Sequence, residues 1–300
     1  MRAAVVGIAT RAAAVVIAGA FFVMSRVPPT ALSAAAGWLG RTVGPRLPRS
    51  KVARDNLKHA FPGKAERELR AIERGMWDNL FRTVAEGTQI GRFCDFSLVD
   101  GSGERLTFVG GEHGLALRDD GKPGIIFTAH LGNWELLPAA AARAGLEIAS
   151  LFRAPNMAAF AGMVELARST IGAPLISSRP GAAFELASVL GSGGHVGLLV
   201  DQKFSRRSRV AVPFFGRPVN ANPLLAQLAR RFDCPVHGAR MIRHPGARHT
   251  IEITGPVVLP RGEDGAIDIE RATACVTAIV EGWVREHPEQ WLWAHKRWVV

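Results

Sequence analysis

Ile125-Ile126-Phe127-Thr128-Ala129-His130-Leu131-Gly132-Asn133-Trp134-Glu135 runs from an apolar block into a histidine, then a glycine–asparagine pair, then an acid. The apolar block over 125–128 reads as a compact buried strand. Gly132 and Asn133 suit a tight loop, and Asn133 also suits a helix N-cap. A helix is expected from about Trp134 to Ala144. That order puts His130 at the carboxyl end of a strand, where open α/β sheets place their ligand crevices.

Working outward, the same alternation continues. Residues 148–152, 196–200, 236–242 and 250–258 read as strands, and 160–171, 182–190, 223–232 and 269–285 as helices. Upstream, Leu69, Ile72, Met76, Leu80 and Val84 recur at three- and four-residue spacing. This predicts a helix over 64–92 whose apolar stripe serves packing. Strands alternating with helices define an α/β fold of layered type. No repeat or second-domain linker interrupts it.

The amino-terminal residues 3–23 are strongly apolar, broken by Arg11. The part after Arg11 falls short of the roughly 20 residues that span a bilayer. Counted from Ala3 the segment is long enough, provided Arg11 snorkels or is buried against protein. Arg26, Arg41, Arg46, Arg49, Lys51 and Arg54 follow and would hold the rest of the chain on the cytoplasmic side. No convincing A-x-A site precedes Pro28-Pro29, so an anchor is preferred to a cleaved signal. The expected division is a membrane anchor over 1–25 and one catalytic domain over 26–300. Its first part, 26–95, is helical, and residues 31–39 form a short apolar helix at the membrane.

The net charge of +11 suits an anionic partner, either nucleic acid or an anionic membrane surface. The excess of arginine over lysine, with abundant alanine and glycine, also fits a compositional bias. The three cysteines, Cys94, Cys234 and Cys275, are far apart, odd in number and without C-x-x-C pairing. They argue against a disulfide framework or structural zinc and for a reducing compartment.

Nine histidines and 26 acids predict about one acid five places after a histidine by composition alone, so the setting carries the argument. Glu135, in the first helical turn, is favoured there by the helix dipole. It is placed to fix the tautomer of His130 and stabilise the imidazolium, as a carboxylate does in catalytic triads. His130 would then take a proton from an acceptor hydroxyl. Free backbone N–H groups at the helix start are candidates for stabilising an oxyanion.

Other chemistries lack their signatures. There is no G-x-S-x-G, and Gly191-Ser192-Gly193-Gly194 precedes its strand, which argues against both a nucleophile elbow and a dinucleotide loop. No Walker A or H-E-x-x-H pattern occurs, and His237, His244 and His249 show no recognised ligand spacing. No metal site is expected. Arg206, Arg207 and Arg209 have no accompanying nucleic-acid-binding motif.

The stretch His130-Leu131-Gly132-Asn133-Trp134-Glu135 resembles the histidine–acid motif of the bacterial lipid A late acyltransferases, the lauroyl and myristoyl transferases of lipid A biosynthesis. Five further stretches resemble that family in the same order. They are Gly75-Met76-Trp77-Asp78-Asn79-Leu80 with residues 81–86, Phe152-Arg153-Ala154-Pro155-Asn156, Leu199-Val200-Asp201-Gln202, Val212-Pro213-Phe214-Phe215-Gly216-Arg217-Pro218, and Trp291-Leu292-Trp293-Ala294-His295-Lys296-Arg297-Trp298. The resemblance covers nearly the whole chain. It implies an α/β/α acyltransferase domain with a mixed sheet behind the membrane-anchoring helix, at the cytoplasmic face of the bacterial inner membrane.

It further implies transfer of an acyl chain from an acyl carrier protein or coenzyme A thioester to a glycolipid hydroxyl. No covalent enzyme intermediate and no cofactor are implied. His130 is carried over as base and Glu135 as its partner, with Gly132, Asn133, Arg153, Asp201 and Gln202 as substrate-site residues. Arg153 suits a phosphate, or else a surface salt bridge. Asp201 either serves the site or caps a loop. The carboxy-terminal tryptophans read as core or interfacial anchors. Phe152 stands where tyrosine is often expected, in a chain with no tyrosine. Other acceptors with the same chemistry are a lysophospholipid, a phosphatidylinositol mannoside or an aminolipid.

Overall fold

The computed structural model describes residues 19, 22–97, 102–152, 175–202 and 209–298. The expected helix over 160–171, the residue Arg153, and residues 1–18 and 20–21 of the expected anchor lie outside these. Among the described residues no helix is long and apolar enough to cross a membrane.

Residues 22–26 are helical, and among the described residues four bounded helices follow: α1 (Pro29–Val43), α2 (Arg49–Ala60), α3 (Glu66–Glu86) and the short α4 (Ile90–Phe93). Helix α3 starts and ends inside the expected 64–92, and its stripe differs from the sequence reading. Leu69, Ile72 and Met76 are buried as expected, but the stripe continues through Asn79, Thr83 and Glu86, leaving Val84 exposed. A polar continuation is tolerated because these side chains are hydrogen-bonded to the site loop and to an arginine, as set out below. Helix α1 crosses α3 closely. A Cβ on Gly40 would stand 2.4 Å from the backbone oxygen of Trp77, so only glycine permits this approach.

The remainder alternates strand and helix: β1 (Leu106–Val109), α5 (Gly111–Asp119), β2 (Gly124–Thr128), α6 (Leu136–Arg143), β3 (Ile148–Phe152), β4 (Leu175–Ser177), α7 (Ala182–Gly191) and β5 (His195–Leu199). Then come β6 (Val210–Phe214), β7 (Arg217–Ala221), α8 (Leu224–Phe232), β8 (Val236–His244), β9 (Arg248–Ile253) and α9 (Ile269–Glu286). Seven strands form one mixed sheet in the order β1-β9-β8-β2-β5-β3-β4. Among the described residues of this sheet only β8 and β9 pair antiparallel. Strands β6 and β7 form a separate hairpin. Its turn residues Phe215 and Gly216 both take positive φ, 52° and 71°, the twist a two-residue hairpin prefers.

Period-two alternation gives each strand one side chain per layer. Ile125, Phe127, Val196, Leu198 and Val236 face α7, α8 and α9 in the main core, where Phe127 stacks on Trp283 at 5.5 Å. Ile126 and Ile148 face α5 and α6 through Leu117 and Ala141. Helices thus cover both faces. All three cysteines are free, and burial pushes the thiols of Cys94 and Cys234 up to about 12 and about 11.

Candidate active site

Strands β2 and β5 run parallel with Thr128 opposite Leu199. The same register, continued two residues past each strand, brings His130 beside Asp201. Nδ1 of His130 lies 2.7 Å from Oδ1 of Asp201, and the backbone N–H of His130 donates to Oδ2 at 2.9 Å. A carboxylate only accepts, so the ring proton sits on Nδ1 and leaves Nε2 with its lone pair. Gln202 reaches that lone pair with its side-chain nitrogen at 3.0 Å, as a donor. Asp201 is buried; a third donor, the Trp291 indole N–H, reaches its Oδ2 at 2.8 Å.

The carboxylate at Nδ1 is Asp201, where the sequence reading expected Glu135. Glu135 precedes α6 instead of lying in its first turn, and its Oε1 accepts from Trp134 Nε1 at 3.2 Å. It remains close enough for its charge to act on His130. Burial pulls the imidazole pKa down, but the charge and hydrogen bond of Asp201, with the charge of Glu135, carry it above its ordinary value. For Asp201, burial works upward and is overcome by His130, so the carboxyl is held well below the usual range.

Two expected substrate residues also make scaffold contacts. Gly132 has φ +58°, and a Cβ there would stand 2.2 Å from the backbone oxygen of Met241. Its carbonyl accepts from Asn79 Nδ2 at 2.8 Å and Thr83 Oγ1 at 3.2 Å. Asn133 is fully buried and does not cap α6; its Nδ2 donates to Glu86 Oε2 at 2.7 Å. The other oxygen of Glu86 accepts from Ser33 Oγ at 2.7 Å and pairs with Arg243. Arg243 Nε in turn donates to Asn79 Oδ1 at 2.7 Å. Burial works to raise the Glu86 carboxyl, but Arg243 and His249 hold it down at about 2. The sequence pointed to residues 81–86 by resemblance only; nothing marked Glu86 as an anchor of the site loop.

The expected oxyanion donors are partly engaged. Leu136 N–H donates to Asn133 O at 3.0 Å, Leu137 N–H to Trp134 O at 3.2 Å, and Gly132 N–H to Gln290 O at 3.2 Å. The three histidines weighed as a metal set have other partners: His237 Nδ1 meets Thr254 O at 2.9 Å, His244 Nε2 meets Thr250 Oγ1 at 2.9 Å, and His249 lies 3.3 Å from Glu86.

Beside this centre lies a cavity of about 410 Å³ between the sheet and helices α5 and α6. Trp134, Glu135, Thr128 and Leu199 border it at the catalytic end. Small residues line part of it: Gly197 on the sheet, and Pro138, Ala141 and Ala144 from the α6 side.

A strand-end histidine held by a buried carboxylate thus stands near an apolar cavity. The family model described as bacterial lipid A biosynthesis acyltransferase matches residues 6–299, and the chain belongs to that family. It is therefore an acyltransferase. No curated protein matches it closely enough to add a relative.

Proposed function

We propose that the protein transfers a fatty acyl chain from a thioester, on acyl carrier protein or coenzyme A, to a hydroxyl of a lipid A precursor. The observation that carries this reading is the hydrogen bond of His130 to Asp201, which leaves a lone pair on Nε2 of a ring packed at 5.0 Å on Trp134, a residue of the cavity wall. Gln202 is exposed, so its amide is free to leave Nε2 when the acceptor arrives. His130 then takes the hydroxyl proton as the oxygen attacks the thioester carbonyl. Asp201 stabilises the imidazolium so formed. Collapse of the tetrahedral intermediate breaks the C–S bond, and the departing sulfur takes the proton from His130. The products are an ester and a free thiol, with no acyl-enzyme.

In this reading Asp201 takes the orienting role first expected of Glu135, while Glu135 adds negative charge beside the ring. The apolar cavity receives the acyl chain, whose length its depth would set. Arg153 remains a candidate for a phosphate. We place the enzyme at the cytoplasmic face of the inner membrane, held by residues 1–25 and by attraction of the basic helical layer to anionic lipid.

The acceptor is tested by mass spectrometry of lipid A from a strain lacking this gene. Loss of one acyl chain, restored by wild type but not by His130→Ala, is the expected result. An unchanged profile with redundancy excluded would move the acceptor to a lysophospholipid, phosphatidylinositol mannoside or aminolipid.

A further inference from the structure

Asp201 receives three N–H groups, two from His130 and one from Trp291. Trp291 is fully buried, and its ring is fixed edge-on against Trp293 at 4.6 Å and beside Phe214 at 5.7 Å. Its backbone pairs with Leu131 as an isolated antiparallel bridge. The flanking Leu292 N–H donates to His130 O at 3.0 Å, and Gln290 O accepts from Gly132 N–H. One short segment near the carboxyl terminus therefore grips the loop that carries the base and, through one side chain, the carboxylate that orients it. Trp293 provides the comparison. It is equally buried, but its indole N–H goes to Pro288 O at 2.7 Å, away from the carboxylate.

We propose that Trp291 is a positioning residue of the reaction, its indole N–H fixing the direction and charge density of Asp201 and, through Asp201, the basicity of His130. This rests on the reading of His130 and Asp201 as the catalytic pair. A hydrogen bond to a charged acceptor draws electron density from it. Without the indole donor the carboxylate carries more charge toward Nδ1, favours the imidazolium more strongly, and loses one of the contacts that hold its plane. Among the described residues, the other ionisable groups acting on this pair are Glu135, whose charge raises the His130 pKa, His295, whose ring lies 6.3 Å from that of His130, and Arg297, whose charge acts on Asp201. Burial holds His295 neutral, with its pKa pulled down to about 4. Neither Trp291 nor Trp293 carries a charge of its own, so replacing either leaves this set intact.

The test compares Trp291→Phe with Trp293→Phe, reading kcat/KM against pH beside thermal melting. Trp291→Phe is expected to lose about 10- to 100-fold in rate, the weight of one hydrogen bond to a charged group. Its acidic limb should move to higher pH, whereas Trp293→Phe should leave that limb in place whatever it does to stability. An unmoved limb in folded Trp291→Phe overturns the proposal. Should that variant not fold, wild-type protein labelled with ¹⁵N at the indole nitrogens gives the answer. One indole resonance must titrate with the midpoint of the kinetic limb, and none doing so overturns the proposal equally. His130→Ala in the same series separates the two levels. Retained turnover there sinks the catalytic pair itself, while lost turnover there with an unmoved limb in Trp291→Phe removes only Trp291.

Discussion

Asp201 Oδ1 lies 2.7 Å from Nδ1 of His130 across 71 positions of sequence, because parallel strands β2 and β5 keep that same offset. The carboxylate fixes the tautomer in which Nε2 can accept a proton. An asparagine has nearly the same shape but can turn its N–H toward Nδ1, driving the ring proton to Nε2 and blocking the base. Asp201→Asn is therefore expected to lower kcat about 10³- to 10⁴-fold, as the equivalent exchange does in catalytic triads. Acyl-transfer kinetics with a melting curve read this. A loss below tenfold in a natively melting variant would remove Asp201 from its role.

Glu135 gives a prediction of a different kind. Its negative charge helps hold the His130 pKa above the ordinary value. A general base works in its neutral form, so activity falls as pH drops through that pKa. Glu135→Gln removes the charge, lowers the pKa and moves the acidic limb of kcat/KM to lower pH. This is the opposite direction from Trp291→Phe. An upward shift would contradict the electrostatic account of Glu135.

Glu86 tests the scaffold. It is fully buried between Arg243, Ser33, His249 and Asn133. Glu86→Gln leaves the Arg243 guanidinium, itself buried, without its counter-charge, a change that costs about 3–5 kcal/mol in such settings. The folded carboxyl is depressed to about 2 from an ordinary 4.5. Its contribution is therefore present above the ordinary value and lost as pH falls through the folded one. Denaturant unfolding at pH 7 should show the full deficit, and the gap between wild type and variant should narrow below about pH 4.5. A gap that stayed constant to pH 3 would mean the carboxylate charge is not its source.

What the sequence displayed depended on how local each cause was. The run 125–135 was legible because an apolar block followed by Gly132-Asn133 writes strand and loop directly into the chain. The partner of His130 was not, since Asp201 is its neighbour only through the register of two strands that other residues separate. The chemistry of Asn133 was misjudged for the same reason: its suitability as a cap is local, while Glu86, which holds it, arrives from α3. Helix α2 falls in the part expected to be helical, but its bounds were not legible because its buried face is Ser50, Ala53, Asn56, Leu57 and Ala60, mostly small or polar residues with little periodic signal. Pro213 and Pro218 disguised the β6–β7 hairpin. Proline argues against a central strand, yet these two sit opposite each other in a two-stranded ribbon.

The cavity offers a test of donor choice. Ala141 lines it from α6 with a side chain no larger than a methyl group. Ala141→Phe fills part of the space and should shift preference toward shorter acyl donors. Each methylene excluded from an apolar site forfeits about 0.8 kcal/mol, roughly fourfold in affinity. A panel of thioesters of graded length, ranked by kcat/KM, measures this. An unchanged ranking in a variant that folds would place the acyl chain elsewhere.

The exposed side of α1 carries the last prediction. Trp38, Leu39 and Val43 are 62%, 44% and 37% exposed, and Phe22 and Val23 are exposed just before them. Arg41, Arg46, Arg49 and Lys51 are exposed close by in sequence. Apolar side chains flanked by cations suit the boundary of an anionic bilayer: the aromatic and aliphatic groups enter the interface, and the cations meet the headgroups. Burying a leucine-sized side chain contributes about 1.5–3 kcal/mol. Replacing Trp38 and Leu39 together by serine should therefore weaken binding of the full chain to phosphatidylglycerol-containing vesicles at least tenfold. Wild-type binding should itself weaken as salt rises, because each cation near the surface adds about 1 kcal/mol that screening removes. The emission of Trp38 should shift to the blue on vesicle binding, judged against Trp38→Phe, which keeps an apolar ring and removes that fluorophore. Binding by the double serine variant equal to wild type would show that α1 faces something other than lipid, leaving residues 1–25 to hold the membrane alone.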